Sequence, residues 1–143
     1  MIAVSDASPF FEKICIPEGV DREISEKDDE YKRVRELIER GFIEVLPVKN
    51  KDLVKILNSE LGAGESESIV LCREIKAKYV LLDDSNARLC ARSFEIDVIG
   101  TLGIIRALLK KGIIREDPKE IYKKLKSADF WISRELFSSI FEE

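Results

Sequence analysis

The chain has 143 residues and a formal net charge of −4 at pH 7, with 45% hydrophobic and 36% charged residues. Its length fits one domain, its apolar content excludes a disordered chain, and its charge excludes a surface coated with basic residues, although a local basic strip remains compatible. The absence of histidine excludes Ser-His-Asp and Cys-His nucleophiles and the usual imidazole ligands of zinc.

Short apolar runs typical of buried strands alternate along the chain with segments in which apolar residues recur at helical spacing. In chain order the predicted elements are strands at 2–4 and 14–16, a helix at 28–40, a strand at 42–46, helices at 51–61 and 65–75, a strand at 79–82, a helix at 85–93, a strand at 98–99 and a helix ending at 111. Two further helix starts occur at 117 and 133. This alternation predicts a parallel α/β sheet.

Glycines and capping residues set the predicted ends of the helices. Gly41, Gly62 and Gly112 follow helical patterns at the position where a C-terminal cap belongs. Asn50 and Ser85 stand at predicted helix starts, where a side-chain oxygen accepts a hydrogen bond from the first turn.

Three cysteines, an odd number without a CxxC pair, indicate a reducing cytoplasm and small apolar core residues rather than disulfides or zinc. No run of 18 apolar residues occurs, so no membrane span is predicted, and the first residues do not have the pattern of a signal peptide. The heavy use of lysine, glutamate and isoleucine matches a bias reported for thermophile proteins.

Acidic residues stand near the carboxyl ends of two predicted strands. Asp6 follows the strand at 2–4, and Asp83 and Asp84 follow the strand at 79–82. These ends meet at the edge where α/β proteins place their sites. Carboxylates gathered there raise each other's pKa and suit Mg²⁺ or Mn²⁺, which can activate water and stabilise charge on a phosphodiester. The alternative is that the pair caps the next helix or forms solvated salt bridges.

Five motifs follow one another along nearly the whole chain. They are SDASP at 5–9, IPEGV at 16–20, LGAGESESI at 61–69, LLDDSNAR at 81–88 and VIGTLG at 98–103. Their joint order resembles the PIN-domain superfamily, and most closely its prokaryotic DUF3368 branch. The resemblance implies an α/β fold of three layers, α/β/α, with a central, mostly parallel sheet. It also implies a single domain over residues 1–143, whose C-terminal helices at 117–143 pack on it or on a partner.

The resemblance further implies a VapC-like, divalent-metal-dependent endoribonuclease that holds Mg²⁺ or Mn²⁺. The implied catalytic residues are Asp6, Glu23, Glu65 and Asp84. The implied metal ligands are Asp6, Glu65 and Asp84, with Asp83 beside them, and the implied nucleic-acid contacts are Ser8, Asn86, Arg88 and Thr101. Because many members are toxins, RNA, a second copy of the chain and a small antitoxin are the expected partners.

Several of these residues also have a structural interpretation. Glu23 lies in an acidic stretch typical of a solvated face, and Glu65 occupies a helix first turn, which favours an acid in any case. Arg88 has acids to pair with, Thr101 can cap a helix, and Glu67 is expected to face solvent or form a salt bridge. The expectation for Lys110, Lys111, Lys123, Lys124 and Lys126 is a solvated helix face, with a track for RNA as the alternative. The apolar residues from 130 to 141 are expected in the core or in a dimer contact.

Two other functions compete with the nuclease. One is a catalytically weak or inactive PIN-like protein that binds nucleic acid or regulates. The other is a receiver-like phosphoryl-transfer domain that uses Asp83 and Asp84, although the sequence has no glycine-rich loop that would cradle phosphate. In addition, the connection from Asp6 to Ile14 has too few residues for a parallel crossover between the strands at 2–4 and 14–16. A repositioned strand, cover by a partner chain and residues missing from the sequence remain open as explanations.

Overall fold

The computed structural model describes residues 13–141, apart from the side chains of residues 28–30. The predicted strand at 2–4 therefore lies outside the described residues. The chain divides into two compact units, and the division falls between Thr101 and Leu102. No helix in the described part of the chain is both long enough and apolar enough to span a membrane.

The described elements alternate as an α/β chain should. They are β1 (Ile14–Pro17), α1 (Glu18–Ser25), α2 (Asp28–Glu39), β2 (Ile43–Leu46), α3 (Lys51–Leu57), α4 (Ala63–Ile75), β3 (Tyr79–Leu81), α5 (Ser85–Ser93), β4 (Asp97–Ile99), α6 (Thr101–Lys110), α7 (Pro118–Ser127) and α8 (Arg134–Phe141). The predicted α/β class is confirmed, and every predicted element that falls in this range is present.

The strands pair in parallel, as predicted. Ile14 of β1 lies opposite Ile43 of β2, and Val80 of β3 lies opposite Val98 of β4. The resemblance implies one central sheet, whereas the strands between residues 13 and 141 form two sheets of two strands each. The carboxyl end of β3 leads directly into Asp83 and Asp84, which is the placement that the sequence predicts for these acids.

Helix α4 is the most deeply buried element of the N-terminal unit. Ile69, Val70, Leu71 and Cys72 follow one another and are 0%, 1%, 3% and 5% exposed. Ile69 and Cys72 pack with β3 and α5, whereas Val70 and Leu71 pack with α3 and the segment before it. Because four consecutive residues point to different sides of a helix, α4 is enclosed on two faces rather than laid on a surface.

The C-terminal unit has a hydrophobic core of its own. Ile105, Ile121 and Phe137 bring together α6, α7 and α8 and are almost fully buried. Phe137 meets the ring of Tyr122 edge-on at 5.1 Å and stacks on Phe141 at 4.4 Å between ring centroids. The expectation that apolar residues near the C-terminus pack in a core therefore holds for Ile132 and Phe137, but it was wrong for Trp131 and Leu136, which are exposed.

The sequence analysis did not predict α1. Its signals are present but short: Pro17 occupies the N-cap position in an extended conformation, and Glu18 and Asp21 lie in the first turn. Val20 and Ile24 recur at a spacing of four residues, which places them on one face of the helix. Acidic residues dominate this segment, so it resembled a solvated stretch.

The predicted bounds of α3 and α4 were wrong at Gly62. Helix α3 ends at Leu57 rather than at residue 61, and Gly62 begins α4 instead of ending α3. The reason is that the Gly62 N–H donates to Oε2 of Glu65 at 2.8 Å, which fixes the start of α4 at this point.

Helix α5 ends in a left-handed residue that is not glycine. Glu95 has a φ of 60°, and its N–H donates to the Arg92 carbonyl at 2.9 Å. The N–H of Ile96 donates to the Ala91 carbonyl at 3.1 Å, which completes a Schellman motif. Glycine fills the same position after α2 and α6, as predicted.

We expect Glu95→Gly to stabilise the protein. A left-handed conformation costs an L-residue roughly 1–2 kcal/mol, and the extra flexibility of glycine in the unfolded chain cancels part of the gain. The free energy of unfolding should therefore rise by about 0.5–1 kcal/mol in urea denaturation followed by circular dichroism. The matched control, Arg92→Gly inside α5, should lower it by about 1 kcal/mol. A loss of stability in Glu95→Gly would contradict the account of this helix end.

Candidate metal centre

Asp84 connects the end of β3 to the start of α5. It is the N-cap of α5, and its Oδ2 accepts a hydrogen bond from the Ala87 N–H at 2.9 Å. The prediction that Ser85 is the cap was wrong, because Ser85 is already the first residue of the helix. Capping engages Oδ2, so the other oxygen of Asp84, Oδ1, is not used by the cap.

Asp83 holds the start of α6. Its Oδ1 accepts from the Thr101 N–H at 2.8 Å, and its Oδ2 accepts from the Thr101 hydroxyl at 2.5 Å. Thr101 is thus the first residue of α6 and a double donor to Asp83, rather than a cap that accepts from the helix. These charge-assisted bonds use both carboxylate oxygens and tie the end of β3 to the start of α6.

Gly100 leaves room for two charged side chains. A β-carbon built on Gly100 would lie 2.8 Å from Nη1 of Arg88 and 3.2 Å from Oδ1 of Asp83. The guanidinium group of Arg88 and the carboxylate of Asp83 therefore lie on the same side of the Gly100 backbone. Asn86 is exposed in the first turn of α5, two residues after the Asp84 cap.

The first turn of α4 brings Glu23 and Glu65 into one region. Glu65 folds back so that its Oε2 accepts from the Gly62 N–H, as the structural interpretation of an acid in this turn allows. A β-carbon built on Gly64 would lie 3.4 Å from Oε2 of Glu23, so the carboxylate of Glu23 lies beside the residue that precedes Glu65. The contact depends on α1 packing against α4.

Glu67 does not behave as the sequence analysis expected. Instead of facing solvent, its Oε2 accepts from the Gly19 N–H at 3.1 Å, across a separation of 48 residues. This bond satisfies a backbone donor in the first turn of α1 and holds that turn against α4. The only local signal was the absence of a side chain at Gly19, which allows a carboxylate to approach the backbone.

Among the described residues, the carboxylates predicted for the site lie at two places. Glu23 and Glu65 lie at the start of α4, and Asp83 and Asp84 lie at the end of β3. Between residues 13 and 141, no three His, Cys, Asp or Glu side chains come together in a group that could hold one metal ion. Asp6 and Ser8 fall outside the described residues. The donors are carboxylate oxygens, which fit Mg²⁺ or Mn²⁺ rather than a softer ion.

The thiols contribute no strong nucleophile to this region. Burial is the main factor that raises the pKa of each of Cys15, Cys72 and Cys90 above its ordinary value. A raised pKa lowers the fraction of reactive thiolate near neutral pH. Cys72 is buried in the core, as predicted, and the other two cysteines are half-buried against core clusters. Acid–base chemistry in the described region therefore does not depend on a cysteine thiolate.

Two substitutions at Asp84 separate its capping role from its charge. Asp84→Ala removes the acceptor for the Ala87 N–H and should lower the free energy of unfolding by about 1 kcal/mol. Asp84→Asn keeps an equally good capping oxygen and should leave this free energy nearly unchanged. Urea denaturation followed by circular dichroism measures both. Equal losses in the two variants would contradict the capping geometry.

Comparison with known proteins gives a match to a protein family over residues 3–143. The family is described as DUF3368: PIN domain. The matched range includes both compact units and every carboxylate predicted for the site, including Asp6. No curated protein and no solved structure matches the chain.

Proposed function

Because the chain belongs to the DUF3368 family of PIN domains, we propose that it is a divalent-metal-dependent endoribonuclease. PIN domains are generally nucleases and use divalent metals. The observation that best supports the proposal is the pair of acids at the carboxyl end of β3, where Asp84 uses only one of its two oxygens to cap the helix. Such a strand end is where α/β proteins place their sites.

In the proposed site, Asp6, Glu65 and Asp84 would hold Mg²⁺ or Mn²⁺, and the carboxylate of Glu23 lies beside Gly64, the residue before Glu65. A bound divalent ion lowers the pKa of water and neutralises charge that develops on a phosphodiester. We assign Glu23, whose carboxylate lies beside Gly64, as the group that would accept the proton of the attacking water. Both oxygens of Asp83 are engaged by Thr101, so we assign Asp83 as a positioning residue for the start of α6.

Residues around Gly100 supply the proposed contacts to the RNA backbone. Arg88 brings a guanidinium group next to the acids, which would attract a phosphate that their negative charge otherwise repels. Asn86 adds an exposed amide on the same turn of α5. The hydroxyl of Thr101 donates its hydrogen bond to Asp83. Towards RNA, its oxygen can therefore only accept a hydrogen bond in this arrangement.

An RNA cleavage assay tests the proposal. Asp84→Asn and Glu65→Gln keep their helix caps but remove a charged ligand, so cleavage in Mn²⁺ or Mg²⁺ should fall by roughly 100-fold or more. Chelation with EDTA should abolish it. The control is Asp97→Asn, the same change at the start of β4, the opposite edge of the sheet from Asp83 and Asp84. Cleavage that survives Asp84→Asn and EDTA would overturn the proposal.

One observation favours a second candidate, a PIN-like protein that binds nucleic acid without cutting it. Glu65, Asp83 and Asp84 all accept hydrogen bonds at helix starts, and the described residues offer no group of three metal ligands. For this candidate we expect RNA binding without cleavage in either metal, unchanged by Asp84→Asn. The family match gives no support to the receiver-like interpretation.

The toxin role, the antitoxin and the homodimer belong to the same proposal. A toxin of this type should arrest growth when it is expressed alone, and Asp84→Asn should relieve the arrest. The homodimer is tested by sedimentation of the intact chain.

A further inference from the structure

The only tryptophan of the chain is exposed on the C-terminal unit. Trp131 is 92% exposed, whereas Ile132, the next residue, is 6% exposed. Single exposed apolar residues are common and need no explanation by themselves. What distinguishes Trp131 is the hydrogen-bonded turn that carries it and the two cations that line the same cavity.

The turn before Trp131 is fixed by hydrogen bonds at the end of α7. Asp129 adopts a left-handed conformation with a φ of 56°. Its N–H donates to the Lys126 carbonyl at 3.1 Å, and the Phe130 N–H donates to the Leu125 carbonyl at 2.9 Å. Phe130 packs on the core that contains Leu125, as the Schellman motif requires. Phe130 and Ile132 are thereby anchored, and the indole between them is held outward.

Two cations lie on an aromatic ring beside this turn. Nζ of Lys126 is 5.2 Å, and the guanidinium carbon of Arg134 is 5.5 Å, from the ring centroid of Tyr122. Such contacts are cation–π interactions. In the described part of the chain, neither cation forms an ion pair with a carboxylate. Together with Trp131, these side chains line a surface cavity of about 410 Å³.

This face is basic on an acidic protein. The cavity lining carries two basic side chains, Lys126 and Arg134, and one acidic side chain, Asp129, a net charge of +1, whereas the whole chain carries −4. Lys123 and Lys124 are paired with Glu120 and Glu116, so Lys126 and Arg134 carry the excess positive charge next to Trp131. The opposing acids are Asp129, which also lines the cavity, and Glu135, in the first turn of α8.

We propose that Trp131, Lys126 and Arg134 form a contact for single-stranded RNA. An unpaired base stacks on the indole, and the flanking phosphates lie near the two cations, which is how proteins commonly bind single strands without reading sequence. The inference rests on the proposed function, because that function supplies a substrate with both anionic phosphates and aromatic bases. The centre of a protein–protein contact is usually depleted of charge, whereas charged side chains border this indole on the cavity side.

The test is a titration with a single-stranded RNA of about ten nucleotides, in EDTA so that no cleavage can occur. As the only tryptophan, Trp131 reports binding directly, and its emission should be quenched as RNA is added. Trp131→Ala and Trp131→Phe have no tryptophan, so their affinity, and that of the wild type beside them, is read from the fluorescence anisotropy of the same RNA carrying an end label. Trp131→Ala should weaken binding roughly tenfold or more, and Trp131→Phe should retain most of the affinity. Both variants should keep the wild-type circular dichroism spectrum and urea midpoint, because the indole is almost fully exposed.

The cations are tested by the salt dependence of the same titration. Lys126→Gln and Arg134→Gln should each reduce the slope of log K against log salt by about 0.7. The matched control is Lys119→Gln, on the same helix but outside the cavity, which should change affinity much less. A second control, Leu136→Ala, removes another exposed apolar side chain of this unit and should have no effect.

Unchanged emission on addition of RNA, or equal affinity in wild type and Trp131→Ala, would overturn the inference. So would a dimer that Trp131→Ala dissociates without changing RNA affinity, since that result assigns the indole to a second copy of the chain. RNA binding that depends on Trp131, with no cleavage in either Mg²⁺ or Mn²⁺, would contradict the proposed nuclease activity and support the proposed contact. Metal-dependent cleavage, together with wild-type RNA affinity in Trp131→Ala, would contradict the proposed contact and support the proposed nuclease activity.

Discussion

The enclosure of helix α4 is the constraint on which the N-terminal unit depends. Two apolar clusters meet on its opposite faces, one with β3 and α5 and the other with α3. The fully buried Ser66 satisfies its hydroxyl within the helix by donating to the Gly62 carbonyl at 2.9 Å. Because the first turn of this helix carries Glu65 and also receives α1 through Glu67, the packing of the core determines where the carboxylates of Glu23 and Glu65 lie.

Three of the acids that the sequence singled out act at helix N-termini. Glu65 caps α4, Asp84 caps α5 and Asp83 binds the first residue of α6. The exposed N–H groups and the dipole at these positions attract any anion, so capping and metal binding call for the same residue type. One carboxylate can combine the two roles because it has two oxygens. Of these three acids, only Asp83 uses both oxygens as hydrogen-bond acceptors at a helix start.

The parts of the fold that could be predicted are those with local causes. The apolar runs gave β1 to β4 within a residue or two, and Gly41 and Gly112 marked helix ends because their left-handed backbone favours glycine. Helix α1 was missed because polar residues dominate it, and Gly62 was assigned to the wrong helix because glycine suits either end. The bond from Gly19 to Glu67 spans 48 residues and depends on packing that no local pattern contains. The cavity beside Trp131 likewise depends on packing, because its lining comes from α7, from the turn that follows it and from α8.

The exposure of Trp131 determines how tryptophan fluorescence responds when this protein unfolds. An indole that is already surrounded by water emits at nearly the same wavelength in the folded and unfolded chain. The wavelength of tryptophan emission should therefore change little on denaturation. The circular dichroism signal of the eight helices between residues 13 and 141, in contrast, disappears. Tryptophan fluorescence should therefore report binding near Trp131, and circular dichroism should report unfolding of the chain.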